Sequence, residues 1–321
     1  MTANLQKHVK LFDLLTGLDR LLLVCHQRPD GDTLGAGTAL FHWLKNKGKK
    51  VTLFCLDLPK PAFAFLDHVS ELTNDPKIFD NNFDALVILD SGNPIYAGIQ
   101  KFMDRLPPGT RVINIDHHKG NALYGDFNLV DDTASSTSEI IADFLKVNGQ
   151  KLDPALATSL MVGIMNDTSY FTNAATEAHS VELTAEFLTA GARSSEVAKA
   201  MFKNKDARTL NLWGTALARL QHNEKYNMAV TYLKQEDMTK AGTDAGAVEG
   251  LINFLNTICG GAETILVLSQ ADENLIKGSF RSVRTDVMRV AKLVGGGGHR
   301  LASGFNMPGK IVETERGIKV V

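Results

Sequence analysis

The chain has 321 residues, of which 44% are hydrophobic and 22% charged, which is enough for about two domains with buried cores. Its 34 basic and 36 acidic residues give a formal net charge of -2, which argues against a protein that coats long duplexes through many phosphate contacts. No apolar run approaches the roughly 20 residues of a membrane span, and the cysteines form no close-spaced pair, which favours a reduced, cytoplasmic setting without a membrane partner.

The first half of the chain alternates short apolar runs with helical patterns, which predicts an α/β fold with a mostly parallel sheet and helices on both faces. The predicted strands are Leu21 to Cys25, Val51 to Leu56, Ala85 to Leu89 and Arg111 to Ile115. Asp32 is the predicted cap of a helix that follows the first strand and ends near Gly48. Further helices are predicted over 136–148, 153–165 and 178–190.

A polar, helix-forming stretch without strand patterning over 191–222 is the predicted connector between two domains. The predicted domains are therefore a larger one over 1–190 and a smaller mixed α/β domain over 223–321. Strands of the smaller domain are predicted at Tyr226 to Leu233, Thr264 to Leu268, Leu275 to Ser282 and Ala302 to Asn306. Its helices are predicted at Ala247 to Ile258 and at Asp286 to Leu293.

Polar clusters begin where three of the predicted strands end, and a fourth follows a later apolar stretch. In chain order they contain His26, Asp30 and Asp32, then Asp90, then Asp116, His117 and His118, and finally Asp167. Ligands of an open parallel sheet lie beyond the carboxyl ends of its strands, so we expect these clusters to converge. Any one aspartate after a strand is usually a turn former or a helix cap, but the conjunction favours a shared site.

Convergence would bring four carboxylates together, and each pair at about 4 Å repels by roughly 4 kcal/mol at an effective dielectric of about 20. Two divalent cations balance the charge of Asp30, Asp32, Asp90 and Asp167. Oxygen and imidazole donors without thiolates suit two Mn²⁺ ions, with Mg²⁺ or Co²⁺ as alternatives, and make a poor structural zinc site. Paired ions can activate a hydroxide and stabilise charge on a phosphoryl group, so the pattern indicates a phosphoester hydrolase.

A run of four glycines, Gly295 to Gly298, precedes His299 near the C-terminus. Glycines expose backbone amides and tolerate positive φ, so this loop can wrap an anion; a flexible linker is the alternative. Residues 275–300 also hold six basic side chains against one acid, a local basic patch that can bind a terminal phosphate. The six are Lys277, Arg281, Arg284, Arg289, Lys292 and Arg300.

The order and spacing of these motifs resemble the DHH phosphoesterase superfamily. The motifs are His-x-x-x-Asp-x-Asp at 26–32, an aspartate at 90, Asp-His-His at 116–118, an aspartate at 167 and Gly-Gly-Gly-Gly-His at 295–299. The resemblance covers nearly the whole chain, as a DHH catalytic domain followed by a DHH-associated domain. It is most like the NrnA-like branch, whose members are oligoribonucleases that also dephosphorylate 3′-phosphoadenosine 5′-phosphate (PAP).

The resemblance implies one metal held by His26, Asp30 and Asp90, and a second held by Asp32, Asp90, His117 and Asp167. Asp90 would bridge the two ions, His118 would donate a hydrogen bond or proton near the scissile phosphate, and Asp116 would orient the histidines. The implied substrate contacts are Gly296, Gly297, Gly298, His299, Arg281, Arg284 and Arg300. Ser135 and Ser136 match a Ser-Ser-Thr stretch of the family and are either phosphate contacts or an ordinary helix cap.

The resemblance favours a Mn²⁺-dependent hydrolase of short single-stranded RNA, of PAP and of linear dinucleotides such as pApA, and it permits a homodimer. A pyrophosphatase or exopolyphosphatase would use the same metal chemistry, but the glycine run before His299 argues against it. A RecJ-like single-strand DNA exonuclease would carry additional nucleic-acid-binding modules. A regulator that only binds nucleotides would have lost metal ligands, whereas every expected ligand is present in the sequence.

Overall fold

The computed structural model describes residues 3–173, 175–202, 205–272, 274–314 and 317–321. The chain divides into two compact units, Met1–Asn204 and Lys205–Val321. The first is built on a parallel sheet and the second on a mixed sheet, so the predicted fold class is confirmed. Among the described residues, no helix combines the length and the apolar character needed to cross a membrane.

The first unit contains a five-stranded sheet in the order β2-β1-β3-β4-β5, with every neighbouring pair parallel. Its strands are β1 (Arg20–Val24), β2 (Lys50–Phe54), β3 (Ala85–Leu89), β4 (Arg111–Asp116) and β5 (Phe127–Val130). The first four confirm the predicted strands, whose unbroken apolar runs are typical of strands covered on both faces. β5 was not predicted, because four residues with a central asparagine carry little strand signal before they pair with β4.

Six α-helices complete the first unit. They are α1 (Ala3–Gly17), α2 (Gly31–Asn46), α3 (Thr137–Val147), α4 (Pro154–Asp167), α5 (Ala178–Thr189) and α6 (Ser194–Phe202). The predicted cap of α2 was wrong: the side chain of Asp30, not Asp32, accepts hydrogen bonds from the backbone N–H groups of Asp32 and Thr33. The helix begins earlier than predicted, so Asp32 lies in its first turn and its carboxylate is directed into the protein.

The two faces of the parallel sheet are covered differently. Leu21 and Leu23 of β1 pack into a core formed with the α-helices. Leu22 and Val24, which alternate with them, pack against an aromatic cluster that includes Phe79. Short 3-10 helices at Pro76–Asp80 and Gln100–Arg105 cover this second face. Helices therefore lie on both faces, but those on the second face are 3-10 helices and not α-helices.

α2 and α4 approach each other closely at two glycines. A Cβ added at Gly35 of α2 would lie 2.4 Å from the backbone carbonyl oxygen of Ser159 in α4. A Cβ at Gly163 of α4 would lie 2.5 Å from a carboxylate oxygen of Asp32. The close approach therefore positions the start of α2 against α4.

We expect Gly35→Ala to lower the free energy of unfolding of the first unit by about 1–3 kcal/mol, because the backbone of α4 must move to admit the methyl group. The measurement is urea denaturation followed by circular dichroism. Gly17→Ala is the matched control, since nothing lies within 4 Å of the added Cβ, and its effect should stay within about 0.5 kcal/mol. Equal effects of the two substitutions would contradict the packing argument.

The second unit contains a six-stranded sheet in the order β10-β11-β9-β8-β7-β6, in which only β7 and β8 pair in parallel. Its strands are β6 (Gln221–Asn223), β7 (Met228–Leu233), β8 (Thr264–Asp272), β9 (Leu275–Ser282), β10 (Gly297–His299) and β11 (Ala302–Pro308). A separate hairpin joins β12 (Ile311–Thr314) to β13 (Gly317–Val320). The helices are α7 (Ala207–Ala218), α8 (Gln235–Ala241), α9 (Leu251–Ile258) and α10 (Val287–Leu293).

Several details of this unit differ from the sequence prediction. α8 and the hairpin of β12 and β13 were not predicted, and α9 begins at Leu251 rather than at Ala247. β6 is an exposed edge strand of three polar residues, and it begins in the stretch predicted to contain no strand. Its residues have no apolar alternation, so the strand is recognisable only from its pairing with β7. Part of the glycine run is also a strand, since Gly297 and Gly298 pair with Gly304 and Ser303 of β11. The glycine run is therefore partly the first strand of a hairpin, not only an open loop.

Candidate metal centre

The polar clusters of the first unit converge at the carboxyl edge of its sheet. β2 pairs with one edge of β1 and β3 pairs with the other edge, so the direction in which strands are added reverses after β2. Such a reversal opens a crevice between the two strand ends. His26 follows the end of β1, Asp90 follows β3 directly, and Asp116 is the last residue of β4.

One group of donor atoms consists of His26, Asp30 and Asp90. His26 Nε2 lies 3.7 Å from Asp30 Oδ1 and 3.4 Å from Asp90 Oδ2. Donors bound to one ion at about 2.1 Å lie roughly 3.0 to 3.4 Å apart, so this spacing fits a single divalent ion after small movements.

A second group surrounds His117. Its Nε2 lies 3.1 Å from Asp167 Oδ2, 3.6 Å from Asp90 Oδ1 and 3.9 Å from Asp32 Oδ2. Asp90 thus directs one carboxylate oxygen at each group. The structure brings together all six residues predicted to bind metal, in the two sets that the sequence analysis proposed.

The orientation of the two histidines suits metal binding. His26 Nδ1 lies 2.8 Å from the backbone oxygen of Gln27, and His117 Nδ1 lies 3.4 Å from that of Ala134. A proton on each Nδ1 is held by these carbonyls, which leaves Nε2 as the nitrogen directed at the carboxylates. Metal-binding histidines commonly have this arrangement, in which the second ring nitrogen donates to a carbonyl or carboxylate.

The electrostatics of the metal-free site also favour cations. Burial, followed by the negative charges of Asp90 and Asp167, raises the pKa of Asp32 well above its usual value. Burial opposes a charge on His26, but hydrogen bonds and the charges of Asp30 and Asp90 raise its pKa to about 12. His117 is likewise opposed by burial, yet Asp167 and its acidic neighbours raise its pKa to about 10. These raised pKa values favour bound protons, which offset part of the negative charge of the site. A bound metal ion would supply that positive charge instead.

We expect metal binding to release protons near neutral pH. Because the pKa values of His26 and His117 lie above 7 in the metal-free protein, an ion must displace protons from both rings, and metal affinity should rise with pH. Calorimetric titration with Mn²⁺ in two buffers of different ionisation enthalpy measures this release. Identical heats in the two buffers would contradict it.

The beginning of α3 contacts the centre, which the sequence analysis did not predict. The backbone N–H groups of Thr137 and Ser138 donate to Asp32 Oδ2 and Oδ1 at 2.7 and 2.9 Å, and Thr137 Oγ1 donates to Asp90 Oδ1 at 3.2 Å. The N-terminal end of a helix stabilises a carboxylate that is otherwise desolvated. This contact keeps Asp32 in place although it is completely buried.

Backbone strain is concentrated at the same site. Asp90 has a φ of 56°, and Ser169, Tyr170 and Phe171, which follow Asp167, have φ values of 47°, 61° and 61°. Non-glycine residues rarely adopt this left-handed region, and three in succession are unusual. Asn173 holds the turn through a 2.7 Å hydrogen bond from Nδ2 to the backbone oxygen of Asp167.

His118 lies beside the metal-binding groups. Its Nδ1 lies 2.8 Å from Asp116 Oδ1 and 3.6 Å from Asp90 Oδ1. Burial opposes a charge on this ring, but the hydrogen bond to Asp116 and the charge of Asp90 raise its pKa. Asp116 is completely buried and also accepts a hydrogen bond from Asn121 Nδ2. Because Asp116 is held in this way, it fixes the orientation of the His118 ring. Asn121 was not predicted, since only the fold brings it under Asp116.

The serines predicted to contact substrate have internal partners instead. Ser136 caps α3 by accepting a hydrogen bond from the backbone N–H of Glu139. Ser135 donates to the carboxylate of Glu139. Both serines are buried, which supports the helix-cap alternative, and their contact with a phosphate stays a prediction.

The remaining predicted substrate residues lie in the second unit. Arg281 Nε donates to Asn253 Oδ1 at 3.0 Å, and burial lowers the pKa of its guanidinium group. Arg300 donates to the backbone oxygen of Arg284 at 3.3 Å, and both arginines are exposed. The side chain of His299 lies outside the described part of the structure.

Comparison with known sequences identifies the family. The profile of the DHH family, N-terminal domain, matches residues 20–164, and that of the DHHA1 domain matches residues 225–316. The chain carries the N-terminal domain of the DHH family followed by a DHHA1 domain. It is a hydrolase of the phosphoester class, as the sequence motifs predicted.

The chain matches its relatives over most of their length. The chain is 29% identical over 293 residues to the bifunctional oligoribonuclease and PAP phosphatase NrnA of Bacillus subtilis (strain 168), covering 90% of each chain. It is 28% identical over 297 residues to the probable NrnA of Streptococcus mutans, covering 90% of this chain and 89% of the relative. The crystal structure of an exopolyphosphatase-related protein from Bacteroides fragilis has the same fold, with a TM-score of 0.85, 24% identity and coverage of 94% and 91%.

Proposed function

We propose that this chain is a two-metal, Mn²⁺-dependent hydrolase that degrades short single-stranded RNA to mononucleotides and converts PAP to AMP in the cytoplasm. Linear dinucleotides such as pApA belong to the same substrate class. The observation that carries the proposal is the pair of donor groups that share Asp90. The names of the relatives from Bacillus subtilis and Streptococcus mutans support the choice of substrates.

The proposed ligands of one ion are His26, Asp30 and Asp90, and those of the other are Asp32, Asp90, His117 and Asp167. When bound, two such ions supply charge stabilisation for the phosphoryl group and a water of lowered pKa. The chain contributes the geometry: Asp90 sets the spacing of the two sites, and the start of α3 holds Asp32 and Asp90. Mg²⁺ and Co²⁺ are the alternative ions for the same oxygen and imidazole donors.

His118 is the proposed proton donor to the leaving oxygen. Burial opposes a charge on the ring, but the hydrogen bond to Asp116 and the charge of Asp90 raise its pKa, which favours the protonated form that a general acid requires. Asp116 accepts from Nδ1 and so fixes the ring plane, while Asn121 fixes Asp116. Asp116 and Asn121 are therefore proposed as positioning residues.

The second unit is proposed to bind the terminal phosphate or nucleotide. The proposed contacts are Gly296, Gly297, Gly298, His299, Arg281, Arg284 and Arg300. Exposed Arg284 and Arg300 support this assignment, because guanidinium groups bind phosphate through paired hydrogen bonds. We further propose that 191–222 connects this domain to the catalytic one.

The test is a parallel assay with Mn²⁺ on RNA of two to five nucleotides, a 24-nucleotide RNA, the same sequences as DNA, PAP, pApA and pyrophosphate. We expect the short RNAs and PAP to be hydrolysed at least about 10-fold more efficiently, in kcat/KM, than the long RNA or pyrophosphate. Preference for pyrophosphate would replace the proposal with a pyrophosphatase function. Preference for long DNA would favour a RecJ-like exonuclease.

A further inference from the structure

A second histidine cluster lies in the first unit, formed by His42, His68 and the carboxylates of Asp153 and Glu71. His42 belongs to α2, Asp153 precedes α4, and the other two residues lie in the segment between β2 and β3. None of these residues belongs to the metal centre of the DHH motifs. The cluster therefore requires its own explanation.

The rings of His42 and His68 face each other through one nitrogen each. His42 Nδ1 and His68 Nε2 are 2.9 Å apart, and the ring centroids are 5.2 Å apart. The outer nitrogens contact carboxylates, with His42 Nε2 2.8 Å from Asp153 Oδ2 and His68 Nδ1 2.6 Å from Glu71 Oε1. Each carboxylate contact requires an N–H on the ring, and the contact between the rings accommodates a single proton.

Both carboxylates are held in place by further partners. Asp153 Oδ1 accepts from the backbone N–H of Leu156 at 2.9 Å as the cap of α4, so its other oxygen is fixed toward His42. Glu71 Oε2 accepts from Lys45 Nζ at 2.8 Å. The amide of Asn46, which can reverse its oxygen and nitrogen, lies 2.9 Å from His42 Nε2 and adds a contact on the same outer side. The inner nitrogens are thus the ones directed at each other.

The backbone at His68 is strained in a way that maintains this contact. Its φ is 66°, in the left-handed region that non-glycine residues rarely adopt. The side chains of His42 and His68 are 18% and 22% exposed, so the pair lies partly at the protein surface. An unfavourable backbone conformation that places two partly exposed imidazoles face to face is typical of a functional site.

We propose that His42 Nδ1 and His68 Nε2 form a bis-histidine site for Zn²⁺, with water completing the coordination. Two nitrogens bound to tetrahedral zinc at about 2.05 Å lie about 3.3 Å apart, so the present 2.9 Å separation needs to widen only slightly. Carboxylates on the outer nitrogens are the usual support of metal-binding histidines. Imidazole donors favour Zn²⁺ over Mn²⁺ and Mg²⁺, so this site selects a different ion from the acidic centre. Each ring would bind the ion through its unprotonated inner nitrogen and keep its N–H on the outer nitrogen, toward its carboxylate.

The test compares the number of Zn²⁺ ions bound per chain, measured by equilibrium dialysis and elemental analysis, in wild type, His42→Gln and His68→Gln. Zinc also enters the acidic centre, so the difference between chains is the informative quantity. We expect either variant to bind one ion fewer than wild type. The matched control is His179→Gln, because His179 contacts the carboxylate of Asp143 and has no ring contact with another histidine among the described residues, and it should retain the wild-type number.

Equal zinc binding by wild type and both variants would overturn the proposal. A measurement on the wild type alone covers the case in which a variant does not fold: crystals soaked in Zn²⁺ should show an anomalous difference peak between His42 Nδ1 and His68 Nε2. A peak only at the acidic centre would also overturn the proposal. Neither result depends on hydrolytic activity.

Discussion

Asp90→Asn is expected to reduce kcat on short RNA and on PAP by about 10³-fold or more, beyond the roughly 10- to 100-fold typical of losing a residue that only supports a metal ligand. The structure explains the size of the effect, because the two oxygens of Asp90 face different donor groups at 3.4 and 3.6 Å. Removing this charge weakens both proposed ion sites at once. Asparagine tolerates the left-handed backbone at this position, so the substitution changes charge with little added strain.

Two comparison variants make the result specific. Asp19→Asn removes an exposed aspartate paired with Lys50 and should leave kcat unchanged. Asn121→Ala removes the hydrogen bond to Asp116 and should lower kcat by about 10- to 100-fold, while the number of Mn²⁺ ions bound remains that of wild type. Wild-type turnover by Asp90→Asn, or an effect no larger than that of Asn121→Ala, would contradict the bridging role.

The sequence predicted the convergence of these side chains because they follow strong local signals. Apolar runs marked β1, β3 and β4, and the polar residues directly after them had to lie at one edge of a parallel sheet. His26, Asp90 and His117 could therefore be expected to lie close together from their positions relative to the strands. The sharing of Asp90 between two groups came from the family resemblance, not from the strand pattern.

The features that support the ligands could not be predicted in the same way. The backbone amide of Thr137 donates to Asp32, which lies 105 residues earlier in the chain. Because backbone amides occur along the whole chain, no sequence pattern marks this one as a partner of Asp32. Gly163 is required by the closeness of Asp32, a tertiary distance that its apolar helix does not indicate. The His42 and His68 pair joins a helix to an irregular segment, so neither periodicity nor a motif marks it.

The features that the sequence left open have the same physical origin. Ser135 and Ser136 lie at a helix start, where hydroxyls serve either as caps or as phosphate contacts, and burial and the hydrogen bond to Ser136 support the cap. The glycine run was read as a loop because Gly297 and Gly298 have no strand propensity of their own. They form a strand only through a short hairpin with β11, which carries the strand signal that the glycines lack.

Saturating Mn²⁺ is expected to raise the melting temperature of the first unit by about 10 °C or more. Two independent ions, each at about 100 times its dissociation constant, stabilise the native state by roughly 5 kcal/mol, and 1 kcal/mol corresponds to about 2–4 °C in a domain of this size. The structural reason is that burial and neighbouring carboxylates raise the pKa values of fully buried Asp32 and partly exposed Asp167, which indicates that their negative charge is poorly balanced without a cation.

The two tryptophans allow the melting of each unit to be followed separately. Trp43 lies in α2 of the first unit and Trp213 in α7 of the second, so Trp213→Phe leaves a fluorescence reporter of the first unit alone. In that background, Mn²⁺ should shift the transition far more than NaCl at equal ionic strength, and adding Asp32→Asn should remove most of the shift. An unchanged transition in saturating Mn²⁺ would mean that these carboxylates do not bind the ions. A shift that survives both Asp32→Asn and Asp90→Asn would place the stabilising ion elsewhere in the chain.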